Sequence, residues 1–310
     1  MEHVIAIDAT MHIIPVDGVR DAFPSVRVKQ FDPEERLEEP QVLITANRWW
    51  DDAYLDALED GDWVITLGAG YDRFPLDRFA EAGIQFSTSR GVNAAQVADH
   101  GMAMVLSVMR NLPTYYAQQQ KATWDIDHRG MTHGDGTVCT ILGLGHIGEE
   151  LAIRTRAFGM DVRGVKRDVD AYDGVVNALF PPEQLGDALD GADILFVVVP
   201  HTEETEEMVS TPAFERLDDD AIVVNIGRGP VVDTGALHTA LDNDVIATAC
   251  LDVTDPEPLP ADHPLWDRDD VLITPHCAGV TDGYATQFLE YFKAQFDAWT
   301  NGREIRNRVV

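Results

Sequence analysis

Lysine is nearly missing from this chain. Of 23 basic residues only Lys29, Lys121, Lys166 and Lys293 are lysines, and they stand against 54 aspartates and glutamates in 310 residues. The formal net charge is −31. A balance this acidic argues against nucleic acid or an anionic membrane surface as a partner. The acidic runs at Asp218 to Asp220, Glu203 to Glu207 and Asp267 to Asp270 recur along the chain and do not gather into a tail, so a uniformly acidic surface is expected. Self-repulsion among those charges opposes compaction in dilute buffer, whereas molar salt, with a Debye length of about 3 Å, screens it. Adaptation to a salt-rich cytoplasm is the expectation.

Other absences narrow the class. No apolar run approaches the length of a membrane span, and the opening MEHVIAID reads as a strand and not as a signal peptide, which makes the cytoplasm the default location. Cysteine is scarce: Cys139, Cys250 and Cys277 form no CxxC pair and are odd in number, so neither a disulfide framework nor a zinc site is supported by their spacing. Cys139 and Cys250 lie in apolar runs and read as small core residues. Cys277, directly after His276, reads as an oxidisable thiol or, in preference, as a packing residue.

What is present is an α/β rhythm. Apolar runs at Val4 to Ile7, Val26 to Phe31, Val42 to Thr45, Trp63 to Leu67 and Ile84 to Thr88 read as strands of a first domain, with helical spacing from Trp50 to Leu58. A long apolar helix is expected from Ala94 to Arg110, ended by Pro113, and then a polar, irregular arm from Tyr115 to Asp135. Beyond the arm, Val138 to Gly148 reads as strand, glycine turn and helix start: Gly143-x-Gly145-x-x-Gly148, with a helix expected from Ile147 to Phe158. That arrangement cradles a dinucleotide pyrophosphate. Further strands at Asp161 to Val165, Ile194 to Val198, Ala221 to Asn225, Ala247 to Leu251 and Val271 to Ile273 complete a doubly wound parallel sheet. The aromatic-faced helix Asp282 to Trp299 is expected to return to the first domain. The fold class is therefore α/β, with two doubly wound, Rossmann-like or flavodoxin-like parallel-sheet domains facing a cleft. Residues 1–92 with 283–310 would form the substrate-binding domain and 93–282 the dinucleotide-binding domain.

Ligands in open α/β sheets sit beyond the carboxyl ends of the strands. Three residues fall there: Arg228 in NIGRGPVVD, Glu257 in LDVTDPEP and His276 in TPHCAG. Arg228 can fork onto a substrate carboxylate and polarise the neighbouring carbonyl, and His276 can supply the proton. Glu257, accepting the other imidazole N–H, orients the ring and supports its charge. Each has an ordinary alternative, a solvated ion pair, a solvent-facing loop glutamate or a packing histidine; together, behind a dinucleotide turn, they describe an oxo-acid reduction site. At the end of the second strand of the coenzyme domain, the first after the glycine turn, Lys166 and Arg167 occupy the position that reads the adenosine ribose. Two cations there suit a 2′-phosphate, so NADP(H) is the preferred cofactor, with NAD(H) tolerated. A salt bridge to Asp168 or Asp170 is the competing assignment.

The chain resembles the D-isomer-specific 2-hydroxyacid dehydrogenase family over nearly its whole length. The matching strings, in order, are TLGAGYD, GVNAAQVADHG, ILGLGHIG, VPHTEET, NIGRGPVVD, LDVTDPEP and TPHCAG. The resemblance implies that Arg228, Glu257 and His276 are the catalytic arginine, glutamate and histidine. It implies coenzyme contacts from Gly143, Gly145, His146, Ile147, Gly148, Pro200, Thr205 and Asp252, the last to the nicotinamide carboxamide. Backbone N–H groups of Leu67, Gly68, Ala69 and Gly70 would meet the substrate carboxylate. It also implies a homodimer through the 94–110 helix and the 113–135 arm. Two positions depart from the family pattern. Lys166 stands where NAD-preferring members carry aspartate, and His201, which could face the cofactor, is read as a surface histidine. Trp49, Trp50 and Tyr54 are candidates for the substrate's side-chain pocket, with ordinary packing the alternative. The expected reaction is NADPH-preferring reduction of small 2-oxo acids, glyoxylate and hydroxypyruvate among them, to D-2-hydroxy acids. The rivals are a dinucleotide-sensing co-repressor-like protein and formate or phosphoglycerate oxidation.

Overall fold

A computed structural model describes residues 3–8, 13–31, 41–126, 131–170 and 172–310. The chain divides into two compact units, 1–93 with 280–310, and 94–279.

The first unit is built on β1 (Val4–Asp8), β2 (Arg27–Phe31), β3 (Val42–Ala46), β4 (Trp63–Leu67) and β5 (Gln85–Thr88), all parallel, in the order β2-β1-β3-β4-β5. β1 and β3 are buried along their whole length, as strands covered on both faces must be. One face carries Ile5, Ile7, Val42, Ile44, Trp63 and Ile65 against Phe288, Phe292 and Phe296 of the terminal helix Tyr284–Thr300. The Phe292 ring lies 5.5 Å from that of Trp63 and 5.3 Å from that of Phe23. The expected return of the last helix to this domain is thus a packing fact. The chain then continues to the edge of β5, where the Val309 N–H donates to Phe86 O at 2.8 Å.

The expected helix from Trp50 to Leu58 is instead two 3-10 pieces, Asn47–Trp49 and Asp52–Ala57. Trp50 is extended at ψ 131, and the Asp51 carboxylate accepts from the Ala53 N–H at 2.9 Å, a local cap that restarts the turn.

The second unit holds β6 (Val138–Leu142), β7 (Asp161–Val165), β8 (Ala178–Phe180), β9 (Ile194–Val197), β10 (Ile222–Asn225), β11 (Thr248–Leu251) and β12 (Val271–Ile273). Their order, β12-β11-β10-β9-β6-β7-β8, reverses direction between β6 and β9. That is the doubly wound order, with its crevice at the carboxyl ends of those two strands. β8, a three-residue edge strand, carries no alternation long enough to read in sequence.

Helix Ala94–Met109 buries Val97, Ala98, Gly101, Met102, Val105 and Met109 along one stripe and packs on helix His146–Ala157. Pro113 does not end it. The break is at Asn111, held left-handed at φ 52, and Pro113 sits in the first turn of a new helix, Leu112–Gln120, where a missing N–H costs nothing. The arm is therefore helical to Gln120; residues 127–130 of it lie outside the described residues. Among those residues, no helix is long and apolar enough to cross a membrane. Cys139 and Cys250 are fully buried, as expected.

Candidate active site

The chemistry collects at the carboxyl ends of β10, β11 and β12. β10 ends in Asn225, buried, whose amide accepts from the Gly227 N–H at 3.1 Å and donates to the Arg228 carbonyl at 2.9 Å. This side chain closes the turn that presents Arg228. The half-buried guanidinium donates to Gly227 O at 2.7 Å, which bends it back over its own turn. A Cβ on Gly229 would lie 2.0 Å from Thr254 O, so only glycine lets this turn approach the loop that carries Glu257.

That loop and the one after β12 bring two predicted residues together. His276 donates from Nδ1 to Glu257 Oε1 at 2.6 Å. The bond leaves the ring's other nitrogen, Nε2, on the edge away from Glu257. His276 itself sits at φ 50, a left-handed conformation that a non-glycine residue adopts only when its surroundings impose it. Those surroundings centre on Asp252. Its backbone carbonyl accepts from the His276 N–H at 2.8 Å. Its buried carboxylate accepts from the Thr274 hydroxyl at 2.6 Å and from the N–H groups of Cys277 and Ala278 at 2.9 and 3.0 Å. Three hydrogen bonds compensate a buried charge and clamp the backbone on both sides of His276. Asp252, expected only as a coenzyme contact, is also the anchor of this loop.

The glycine turn lies at the end of β6. Gly143 takes φ 108, and a Cβ on Gly148 would fall 2.0 Å from Gly143 O, so the helix starts against the turn itself. At Gly145 a Cβ would meet no atom within 4 Å. Open space before a helix N-terminus, toward which the first N–H groups of the helix point, fits a pyrophosphate. His146 and Ile147 form the first helical positions.

Lys166 follows β7. Its ammonium donates to Leu144 O in the glycine turn at 2.7 Å and lies 5.6 Å from the centre of the Tyr172 ring. Among the described residues, no ion pair joins Lys166 to Asp168 or Asp170. Arg167 is exposed. Thr205 is turned inward on its own loop, donating to Pro200 O at 2.7 Å and accepting from Thr202 N at 2.8 Å. His201, expected at the surface, has its Nε2 enclosed and without a hydrogen-bond partner among the described residues.

In the first unit, the Leu67 to Gly70 loop leaves β4 with Gly68 at φ 74. The Gly68 N–H is already taken, donating to Ser89 Oγ at 2.7 Å and to the Tyr284 hydroxyl at 3.0 Å. Burial pushes the Tyr284 phenol above its ordinary range. Ser89 and Tyr284 thereby brace the loop, and neither was expected: the bonds join residues 21 and 216 positions apart. Tyr54 is fully buried, its hydroxyl donating to Asp8 Oδ2 at 2.8 Å, and Trp50 packs on Tyr54, Phe74 and Phe79. Trp49 lies against the core that faces the terminal helix. The contacts of these rings are packing contacts within the first unit.

Residues 102–278 match the family described as D-isomer specific 2-hydroxyacid dehydrogenase, NAD binding domain. The chain is 30% identical to glyoxylate reductase of Korarchaeum cryptofilum, over 92% of this chain and 96% of that protein. It is 33% identical to D-3-phosphoglycerate dehydrogenase of Archaeoglobus fulgidus over 86% of its own length, but spans only 51% of that relative. A crystal structure of a D-isomer specific 2-hydroxyacid dehydrogenase from Xanthobacter autotrophicus Py2, in complex with NADPH and MES, superposes with a TM-score of 0.81 at 27% identity. The match covers 100% of this chain and 98% of that one.

Proposed function

The chain belongs to the D-isomer-specific 2-hydroxyacid dehydrogenase family, and from that premise we propose that it reduces small 2-oxo acids to D-2-hydroxy acids with NADP(H) as its preferred coenzyme. The carrying observation is the 2.6 Å bond between His276 and Glu257 on a loop clamped by Asp252. Bound at the glycine turn, a nicotinamide dinucleotide supplies the hydride. Arg228 binds the substrate carboxylate and polarises the carbonyl, which lowers the cost of charge developing on oxygen. His276 holds a proton at Nε2 and delivers it to that oxygen, while Glu257 fixes the ring and compensates its charge. The Ala69 and Gly70 N–H groups donate to the carboxylate, the Gly68 N–H being engaged elsewhere. Asp252 keeps acceptor capacity for a carboxamide.

The coenzyme preference rests on Arg167, exposed at the ribose-reading position, and on Lys166, which braces the glycine turn beside it. A homodimer belongs to the same reading. Leu112, Tyr116, Trp124 and Ile126 are exposed, Trp124 at 99%, and lie on or just after helix Leu112–Gln120. An apolar series of this kind is covered by a second copy. The acidic composition supports work in a salt-rich cytoplasm.

The test is oxidation of NADPH and NADH in molar salt against 2-oxo acids of increasing chain length, glyoxylate and hydroxypyruvate included. Turnover should be faster with NADPH and fall by about 10²–10⁴-fold in His276→Ala. Lys166→Asp with Arg167→Ala should lower kcat/KM for NADPH far more than for NADH; equal losses would remove the pair from 2′-phosphate recognition. Coenzyme binding without turnover on any acid would favour the dinucleotide-sensing alternative.

A further inference from the structure

Three side chains far apart in sequence meet behind the His276 loop. His100 on helix Ala94–Met109, Asp252 after β11 and Cys277 after β12 each place one ligand-type atom within 4.8 Å of the other two. His100 Nε2 lies 3.6 Å from Asp252 Oδ1 and 3.0 Å from Thr274 Oγ1. The Asp252 side chain is 1% exposed and that of His100 24%, so the cluster is largely shielded from water. The Asp252 carboxylate accepts from the Thr274 hydroxyl and from two backbone N–H groups, and His100 is the basic side chain beside it.

We propose that His100, Asp252 and Cys277 form a zinc-binding site, and that loading it silences the neighbouring His276. The donor set decides the ion. An imidazole with a thiolate selects zinc over magnesium or calcium, which take oxygen ligands, and the carboxylate completes a three-residue set with a fourth position for water or the Thr274 hydroxyl. Ligands about 2.0–2.3 Å from zinc stand roughly 3.3–3.8 Å apart in a tetrahedron, so side-chain rotations of about 1 Å close the site. Cys277 ligates as the thiolate: the zinc–sulfur bond forms, the S–H bond breaks, and the proton leaves to solvent.

The inhibitory consequence follows from the same carboxylate. An Asp252 oxygen drawn onto a cation competes with the Thr274 hydroxyl and the Cys277 N–H, which together hold His276 left-handed. This half of the proposal rests on the reductase reading; the binding half does not.

Cobalt(II) serves as the spectroscopic probe, added to reduced, chelator-treated full-length protein. One equivalent per chain should give thiolate-to-cobalt charge-transfer absorption, displaced by zinc. Cys277→Ser, which removes the thiol and keeps the backbone N–H, should abolish the band, and His100→Gln should weaken cobalt binding by about 10-fold or more. Zinc should depress wild-type turnover reversibly and leave Cys277→Ser unaffected. Cobalt held only by surface carboxylates gives no such band, and its absence, or its survival in Cys277→Ser, overturns the site. A band with zinc-insensitive turnover overturns the inhibition. A chain that turns over no 2-oxo acid removes the reductase reading and leaves the cobalt spectrum to decide the site.

Discussion

Asp62, where the chain enters β4, is a carboxylate whose own fold disfavours its charge. Burial, with Glu59 adding like charge, pushes its carboxyl up to about 6, against the lowering effect of the Glu59 N–H it accepts at 2.7 Å. A folded-state value above the unfolded one means that the native protein binds the proton more tightly, so stability falls as pH rises from about 4 to 6. Asp62→Asn, whose amide oxygen can keep the Glu59 bond, should raise Tm at pH 8 and change it little at pH 4; an equal effect at both would deny the shift. Arg228→Lys keeps a charge and loses the fork, so kcat/KM should fall by roughly 10²-fold, and near-wild-type constants would remove Arg228 from the site. Arg228, Glu257 and His276 were legible because each follows an apolar run in a chain with a dinucleotide turn. His100, Thr274, Ser89 and Tyr284 were not, because their roles are set by bonds across 21 to 216 positions that no local pattern announces.

Among elements, the turn between β6 and helix His146–Ala157 separates two kinds of glycine. Gly148→Ala drives a Cβ into Gly143 O, an overpacking worth about 1–3 kcal/mol, and should lower both Tm and coenzyme affinity. Gly145→Ala meets open space, so the coenzyme-free Tm should hold while coenzyme binding weakens. Fluorescence titration with NADPH beside thermal melts checks the pair; unaltered binding in Gly145→Ala would move the pyrophosphate elsewhere. The longer strands were readable from their apolar runs because both faces of a parallel sheet are covered. The pieces misread were those governed by single local contacts: the Asp51 cap that breaks up Trp50 to Leu58, and Asn111, whose left-handed turn makes Pro113 a beginning and not an end.

For the molecule as a whole, the net charge of −31 sets the conditions under which any of this holds. Tm should rise between dilute buffer and molar potassium chloride by well over the 2–4 °C or so that 1 kcal/mol represents at domain sizes of about 150–250 residues, and a salt-independent Tm would refute charge screening as a determinant of stability. The division of the chain carries a consequence for its biosynthesis. The unit at 94–279 is continuous and can close its core as it leaves the ribosome, but the sheet made by the first 93 residues lacks Phe288, Phe292 and Phe296 until the last helix is translated. At about 5–20 residues per second that wait is on the order of 10–40 s. Throughout it, the greasy side of β1, β3 and β4 is a client surface for chaperones, so a nascent chain stalled before residue 284 should be captured by them with its second unit already native.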